Sequence, residues 1–172
     1  MSDNCNHRQG PLNPPLSSLR VRSWNVNGNY ATLSNHLEDL QGEIDIFMIQ
    51  EPPWKMIRHM ASMTDPEGSP VIGPPHHLAW ITIYKPGTLE DRPRVAAYVS
   101  LRLMGCHPRV HRNLVDHRDL QLLSVTIGGV EYFLLNVYSD VQATAIQWLD
   151  SNWDSLSSLC WMGRDFNCRD ER

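Results

Sequence analysis

Apolar residues in the first third of the chain repeat with two different periods. Residues 19–26 alternate apolar and polar positions, as expected of a strand with one buried face. Residues 30–41 instead carry leucines at helical spacing and are followed by a glycine, a common helix stop. Residues 44–50 are almost continuously apolar, which is typical of a buried strand. The pattern predicts a strand–helix–strand unit.

The remainder of the chain predicts further strands separated by turn residues. Two apolar runs flank Gly128–Gly129, which predicts a β-hairpin with a two-residue turn. Residues 141–156 show helical spacing, and residues 52–77 form a Pro-rich loop with room for a short helix at 54–60. The other predicted strands are 78–84, 94–100, 120–127, 130–139 and 158–163.

Strands outnumber helices in this prediction and occur as hairpins. The expected fold class is therefore α/β, with a mixed, mainly antiparallel sheet and helices packed on one face. Residues 1–18 are polar and Pro-rich and are expected to be a disordered tail, which leaves a folded domain at 19–172. No apolar run is long enough for a membrane span, and the N-terminus lacks a secretory signal, so we expect an intracellular protein.

The charge of the chain gives no general attraction to nucleic acid, because its formal net charge is −4. Its cations are nevertheless almost all arginine, with Lys55 and Lys85 the exceptions. Arginine binds phosphate in a bidentate fashion, so this bias is compatible with phosphate contacts as well as with a coding bias. The four cysteines are scattered without a CxxC pair, which favours reduced thiols.

Polar side chains occur where several predicted strands end, and a rigid sheet would gather them at one rim. Glu51 directly follows a buried strand, and a carboxylate there is a ligand that Mg²⁺ accepts together with water and phosphate. Asn25 and Asn27 can donate to phosphate oxygens, and Asp165 can accept a proton from an attacking water. Such a set suits phosphodiester hydrolysis, although Asn and Asp also end strands because they favour turns.

Four short motifs occur in a fixed order: SWNVNG at 23–28, IQEP at 49–52, NVYSD at 136–140 and GRDFN at 163–167. They resemble the successive signatures of the endonuclease/exonuclease/phosphatase superfamily. This superfamily includes abasic-site endonucleases, pancreatic deoxyribonuclease-like nucleases and the endonuclease domains of non-LTR retrotransposons. The resemblance is strongest to the retrotransposon branch, in which a strand like RDLQLL, here 118–123, also precedes the NVY strand.

The resemblance implies a deoxyribonuclease-like sandwich of two sheets with helices outside. It also implies an endonuclease that hydrolyses DNA with Mg²⁺, or with Mn²⁺ in its place, and that acts in the nucleus if it serves a retrotransposon. The residues it implies are Glu51 and Asn25 for the metal, Asn27 for the substrate phosphate, and Tyr138, Asp165 and Asn167 for catalysis.

Two features depart from the family pattern. Arg164 stands where the family has Gly directly before Asp; if that position needed a positive φ, Arg would be strained by about 1 kcal/mol or more. Family members also continue with a Ser-Asp-His motif, yet none of the eight histidines of this chain follows Asp165. We therefore expect a truncated domain that contains the first sheet and has weak or absent catalysis.

Other interpretations stay open at this stage. The chain would alternatively be a non-catalytic remnant, either nucleic-acid-binding or inert, or a phosphatase or lipid phosphodiesterase of the same superfamily. Cys106, His107, His111 and His117 form a cluster along the sequence, but their spacing is not typical of zinc sites, so an exposed loop is favoured. The sequence gives no oligomeric state.

Overall fold

The computed structural model describes residues 18–60, 66, 68–87, 91–156 and 158–166. Residues 1–17 of the predicted tail and the predicted site residue Asn167 lie outside these ranges. Within the ranges, the strands are β1 (Val21–Asn25), β2 (Ile46–Gln50), β3 (Lys55–Met60), β4 (Ser69–Gly73), β5 (Trp80–Ile83), β6 (Val95–Ser100), β7 (Arg109–Val110), β8 (Leu120–Ile127), β9 (Val130–Ser139) and β10 (Leu159–Phe166). The helices are α1 (Tyr30–Asp39) and α2 (Thr144–Asn152), with 3₁₀ turns at Leu101–Cys106 and Trp153–Leu156.

The described strands form two four-stranded sheets and one separate ribbon. The first sheet has the order β1-β2-β6-β5 and the second β10-β9-β8-β7, while β3 pairs with β4. The β1–β2 and β9–β10 pairs are parallel because a helix crosses over between their strands, and the other pairs are antiparallel. This topology confirms the predicted α/β class with mixed, mainly antiparallel pairing, and the strand–helix–strand unit at its start.

The core follows from the alternation of side chains along each strand. Ile46 and Met48 of β2 face the second sheet, where Leu123 of β8 packs in the same cluster. Phe47 and Ile49, the intervening residues, face the opposite way and pack with α1. The inner faces of both sheets therefore bury each other, as the two-sheet sandwich implied by the resemblance requires.

The helices lie outside this sandwich, one against each sheet. Leu33 and Leu37 of α1 pack on the first sheet, and Ala145 and Leu149 of α2 pack on the second. Each sheet therefore carries a helix on one face, its outer one. The sequence analysis expected the first sheet, whereas the described residues form two four-stranded sheets. Among the described residues, no helix is long and apolar enough to cross a membrane.

Three other local predictions were wrong. The Pro-rich stretch at 52–77, expected to be a loop with a short helix, contains the β3–β4 ribbon; a two-stranded ribbon leaves outer edges unpaired, so a proline costs no bond there. The expected loop at 106–117 contributes β7, which pairs with β8. Strand β10 continues to Phe166, so Asp165 lies inside a strand and not in a turn after it.

The turn between β8 and β9 has the expected geometry. Gly128 and Gly129 have φ angles of +59° and +81°, which suit glycine and match the twist of a tight hairpin. The prediction of a two-residue hairpin is confirmed.

Gly163 is required for the close approach of β10 to β1. A Cβ at this position would collide with the Trp161 ring and would lie 2.8 Å from the Ser23 Cβ. Arg164, the next residue, is not among the described non-glycine residues with positive φ, and its side chain is exposed. The strain considered for Arg164 is therefore absent, and the small residue that this strand needs is already supplied by Gly163.

We expect Gly163→Ala to lower the free energy of unfolding by about 1–3 kcal/mol, because the added methyl overpacks the contact between the two sheet edges. Urea unfolding followed by circular dichroism measures this change. Gly105→Ala is the control, since a Cβ there meets no atom within 4 Å. Equal stability of the two variants would contradict the role assigned to Gly163.

Candidate functional site

Polar side chains from four strand ends meet at one rim of the sandwich. Asn25 ends β1, Glu51 follows β2, and Tyr138 and Asp165 lie near the ends of β9 and β10. Tyr138 and Asp165 are direct partners in the β9–β10 register. Because residues two apart share a face, Asn25, Tyr138 and Asp165 continue rows whose earlier members line the core between the sheets. The core thus ends in a polar cluster.

Asn25 links the two carboxylates that the sequence analysis singled out. Its Nδ2 atom donates to Glu51 Oε2 at 3.1 Å and also forms a short hydrogen bond to Asp165 Oδ2. Its Oδ1 atom accepts from the Asn27 N–H at 2.7 Å, which fixes the orientation of the amide. Glu51 and Asp165 are therefore held on either side of a single amide group.

The backbone at Glu51 adopts an unusual conformation that aims its side chain at the rim. Its φ angle is +49°, which costs a non-glycine residue about 1 kcal/mol or more. Two backbone bonds hold it: the Glu51 N–H donates to the Arg94 carbonyl at 2.8 Å, and the Glu51 carbonyl accepts from the Gly28 N–H at 2.7 Å. Strained residues are typical of functional sites, and this one carries the predicted metal carboxylate.

Tyr138 supplies the second partner of the Glu51 side chain. Its hydroxyl donates to Glu51 Oε1 at 2.6 Å, so each carboxylate oxygen accepts one hydrogen bond from the protein. Burial raises the pKa of Tyr138 to about 12, and the neighbouring Glu51 carboxylate acts in the same direction. The phenol therefore remains a neutral hydrogen-bond donor throughout the physiological pH range.

A buried pair of amides lies beneath the rim and joins the sheets. Gln50 Nε2 donates to Asn136 Oδ1 at 2.5 Å and to Ser23 Oγ at 2.8 Å. Asn136 Nδ2 in turn donates to the carbonyls of Ile49 and Ala96, both at 3.0 Å. The sequence analysis singled out neither Gln50 nor Asn136, although an asparagine inside an apolar strand is a signal of such a bond.

An ion-pair network also missed by the sequence analysis lies at the same rim. The Arg94 guanidinium donates to both oxygens of Asp119, at 2.6 and 2.5 Å, and to Asp140 Oδ2 at 2.7 Å. This hydrogen bond to Arg94 holds the pKa of Asp140 below its ordinary value. The three residues stand at the start of β6, the start of β8 and the end of β9, and therefore connect the two sheets.

A cleft of about 370 Å³ opens beside Glu51. Its lining residues are Asn27, Gly28, Glu51, Pro52, Trp54, Arg92, Pro93, Arg94 and Arg118. Three arginines line this cleft beside one carboxylate, and two of them, Arg94 and Arg118, are also paired with Asp119. Arginine forks suit a ligand that carries phosphate. A smaller apolar hollow of about 90 Å³ beside Leu122 and Leu156 has no charged lining residue, so we assign the chemistry to the cleft.

The groups at the rim fit a hydrated Mg²⁺ ion. The described residues contain no cluster of three or more His, Cys, Asp or Glu side chains that would form a complete protein cage. Mg²⁺ does not need one, because it usually keeps several waters and binds one or two carboxylates together with substrate phosphate. Glu51 and Asp165 offer oxygen donors of this kind, whereas Asn25 turns its Nδ2 atom to both carboxylates and its oxygen to the Asn27 N–H.

Two histidines of the 106–117 stretch make separate local contacts. His111 Nε2 lies 2.7 Å from Ser124 Oγ, whereas His117 Nδ1 accepts from the Asp119 N–H at 3.1 Å. The two imidazoles thus serve different local contacts.

No protein-family model and no curated protein sequence matches the chain. Among solved structures, the chain is similar to the endonuclease domain of TRAS1, a telomere-specific non-LTR retrotransposon, with a TM-score of 0.53, 15% identity and 89% of this chain covered. The chain has the endonuclease/exonuclease/phosphatase fold. It spans 61% of the length of that TRAS1 domain structure. The fold agrees with the resemblance read from the four motifs.

Two further solved structures with this fold are variants of TDP2. Humanized TDP2 of D. rerio gives a TM-score of 0.47 at 13% identity, with 88% of this chain and 63% of that chain covered. Truncated TDP2 of Caenorhabditis elegans gives 0.45 at 19% identity, with 89% of this chain and 64% of that chain covered.

The endonuclease/exonuclease/phosphatase fold brings together four of the six predicted site residues: Asn25, Glu51, Tyr138 and Asp165. Asn27 lines the adjoining cleft, where its own φ angle is +47°. The functional roles of all six remain predictions.

We expect Asn136→Ala to lower the free energy of unfolding by about 2–4 kcal/mol, because it removes one hydrogen-bond partner from Gln50 and one from each of two carbonyls in a buried site. The double variant Gln50→Leu/Asn136→Leu removes both amides, so it should recover part of that loss. Asn113, an exposed residue, provides the control Asn113→Ala. Urea unfolding tests this; a loss no greater than in Asn113→Ala would contradict the inter-sheet role.

We expect Asp140→Asn to destabilise the protein by about 1 kcal/mol at neutral pH, because it removes a charged partner of Arg94. The folded pKa of Asp140 lies below its ordinary value of 3.8. Its contribution is therefore complete above that value and is lost as the pH falls through the folded pKa. The difference in free energy of unfolding between Asp140→Asn and wild type should therefore disappear in acid. Asp150→Asn, on the exposed side of α2, is the control and should show no such difference at any pH.

Proposed function

We propose that this chain carries the metal- and water-positioning groups of a Mg²⁺-dependent endonuclease of the retrotransposon type, with Mn²⁺ as a substitute ion. Its substrate would be DNA and its place of action the nucleus. The observation that carries the proposal is the Asn25 amide, which links Glu51 and Asp165 beside an arginine-lined cleft.

Each group has a distinct role in this proposal. Glu51, with Asn25 beside it, would hold the metal, and Asn27 would meet the substrate phosphate. A bound Mg²⁺ would polarise the phosphoryl oxygens and neutralise developing charge. Asp165, oriented by Asn25, would align the attacking water and accept its proton.

Tyr138 keeps the Glu51 carboxylate in place through its hydroxyl. The cleft arginines would contact the DNA backbone, which positions the strand without reading its sequence. Asn167 would support Asp165.

The described residues supply no histidine that is hydrogen-bonded to Glu51 or Asp165. A general acid for the leaving oxygen is therefore not identified among these groups, and we expect nicking by this chain to be weak or absent. A test of the proposed metal site therefore needs a measurement that does not depend on catalytic turnover.

Mn²⁺ binding followed by electron paramagnetic resonance is that readout, because the bound ion loses its free signal. We expect Glu51→Gln to weaken binding by about tenfold or more, since it removes the charged ligand. Glu43→Gln, an exposed acid after α1, is the matched control and should bind as wild type does. Unchanged Mn²⁺ affinity in Glu51→Gln would overturn the metal site.

Conversion of supercoiled plasmid to open circle tests the reaction in the same preparations. Any nicking by wild type should require Mg²⁺ and should disappear in Glu51→Gln and in Asp165→Asn. Nicking that persists in both variants would contradict the assignment of the site.

A second candidate function is nucleic-acid binding without cleavage, which the arginines of the cleft favour. Fluorescence anisotropy with a labelled DNA duplex distinguishes it. Affinity that falls steeply with salt while no plasmid is nicked would support binding alone.

A further inference from the structure

Arg94 occupies a central place at the rim through its main chain. Its carbonyl accepts from the Glu51 N–H at 2.8 Å, and its N–H donates to the Arg118 carbonyl at 3.0 Å. Glu51 directly follows β2 of the first sheet, whereas Arg118 lies just before β8 of the second sheet. The position of Arg94 is therefore tied to both halves of the sandwich.

The Arg94 side chain is fixed as firmly as its backbone. Asp119, whose side chain is 1% exposed, receives two of its N–H groups, and Asp140 receives a third bond. Paired N–H donors matched to one carboxylate restrict both the position and the plane of a guanidinium. A lysine in this place would keep the charge but not the plane.

The fixed guanidinium lies over the ring of Tyr138. Its Cζ atom is 4.5 Å from the ring centroid, within the range of a cation–π contact. The backbone of Tyr138 is held as well, because its N–H donates to the Asp119 carbonyl at 2.9 Å. The ring is thus confined on one face, and its hydroxyl stays 2.6 Å from Glu51 Oε1.

We propose that Arg94 is a positioning residue, whose guanidinium, anchored by Asp119 and Asp140, holds the Tyr138 hydroxyl against the Glu51 carboxylate. Its effect on metal binding rests on the proposed function, since it acts through the predicted metal ligand. The confinement of Tyr138 is a property of the side chains alone and can be tested without metal.

The decisive measurement is the hydroxyl proton of Tyr138 in proton NMR at neutral pH. A hydroxyl hydrogen-bonded to a carboxylate and shielded from water exchanges slowly enough to give a downfield signal, and its absence in Tyr138→Phe assigns it. We expect the signal to be lost to exchange in Arg94→Met and partly retained in Arg94→Lys. Arg109→Met, an exposed arginine on β7, is the control and should leave it unchanged.

Asp140→Asn provides a milder variant in case Arg94→Met does not fold, because the pairing of Arg94 with Asp119 remains. We expect Arg94→Met to weaken Mn²⁺ binding by about tenfold. In Asp140→Asn the hydroxyl signal should broaden, and the Mn²⁺ affinity should fall by less than in Arg94→Met. A sharp, unshifted hydroxyl signal in Arg94→Met, or in Asp140→Asn where Arg94→Met is unfolded, would overturn the inference.

The two proposals fail in different ways. If wild type binds no Mn²⁺ but the hydroxyl signal depends on Arg94, the proposed function is wrong and the positioning role stands. If Mn²⁺ binding depends on Glu51 while the hydroxyl signal is indifferent to Arg94, the function stands and the positioning role is wrong.

Discussion

The hydrogen bond between Gln50 and Asn136 determines where every group of the candidate site lies. Apolar contacts between two sheets are non-directional, so they hold the sheets together without fixing their relative shift. The directed bonds made by Gln50 Nε2 and by both ends of the Asn136 amide restrict that freedom, because a shift that breaks them leaves buried polar groups unpaired at a cost of about 1–3 kcal/mol per group. Glu51 follows Gln50 directly, and Tyr138 lies two residues after Asn136. The bond between Gln50 and Asn136 therefore also sets how Glu51 and Tyr138 are placed relative to each other.

Above that bond, the Asn25 amide lies between the carboxylates of Glu51 and Asp165. Two carboxylates close to one amide would repel each other, and Asn25 moderates this by donating to both. Arg94 is neutralised by two other acids, so its charge does not compensate Glu51 directly. In the proposed function, a divalent cation supplies positive charge to this pair of acids.

The parts that the sequence revealed are those with local causes. The strand–helix–strand unit follows from its two periodicities, the hairpin from Gly128–Gly129, and the site position of Glu51 from a buried strand that ends directly before it. The Arg94 network could not be read in this way, because its partners lie 25 and 46 residues away and meet only through the strand register. The prediction of a loop with a short helix at 54–60 failed because nearby prolines usually indicate a loop, whereas a two-stranded ribbon also tolerates them.

Asn25 and Asp165 touch although 140 residues separate them along the chain. Residue 165 leaves the ribosome after the first sheet has been synthesised, so this contact cannot form before β10 has been made. Until β10 docks, Asn25 lacks its Asp165 partner across the rim. The polar cluster at the rim is therefore assembled only when both sheets have come together.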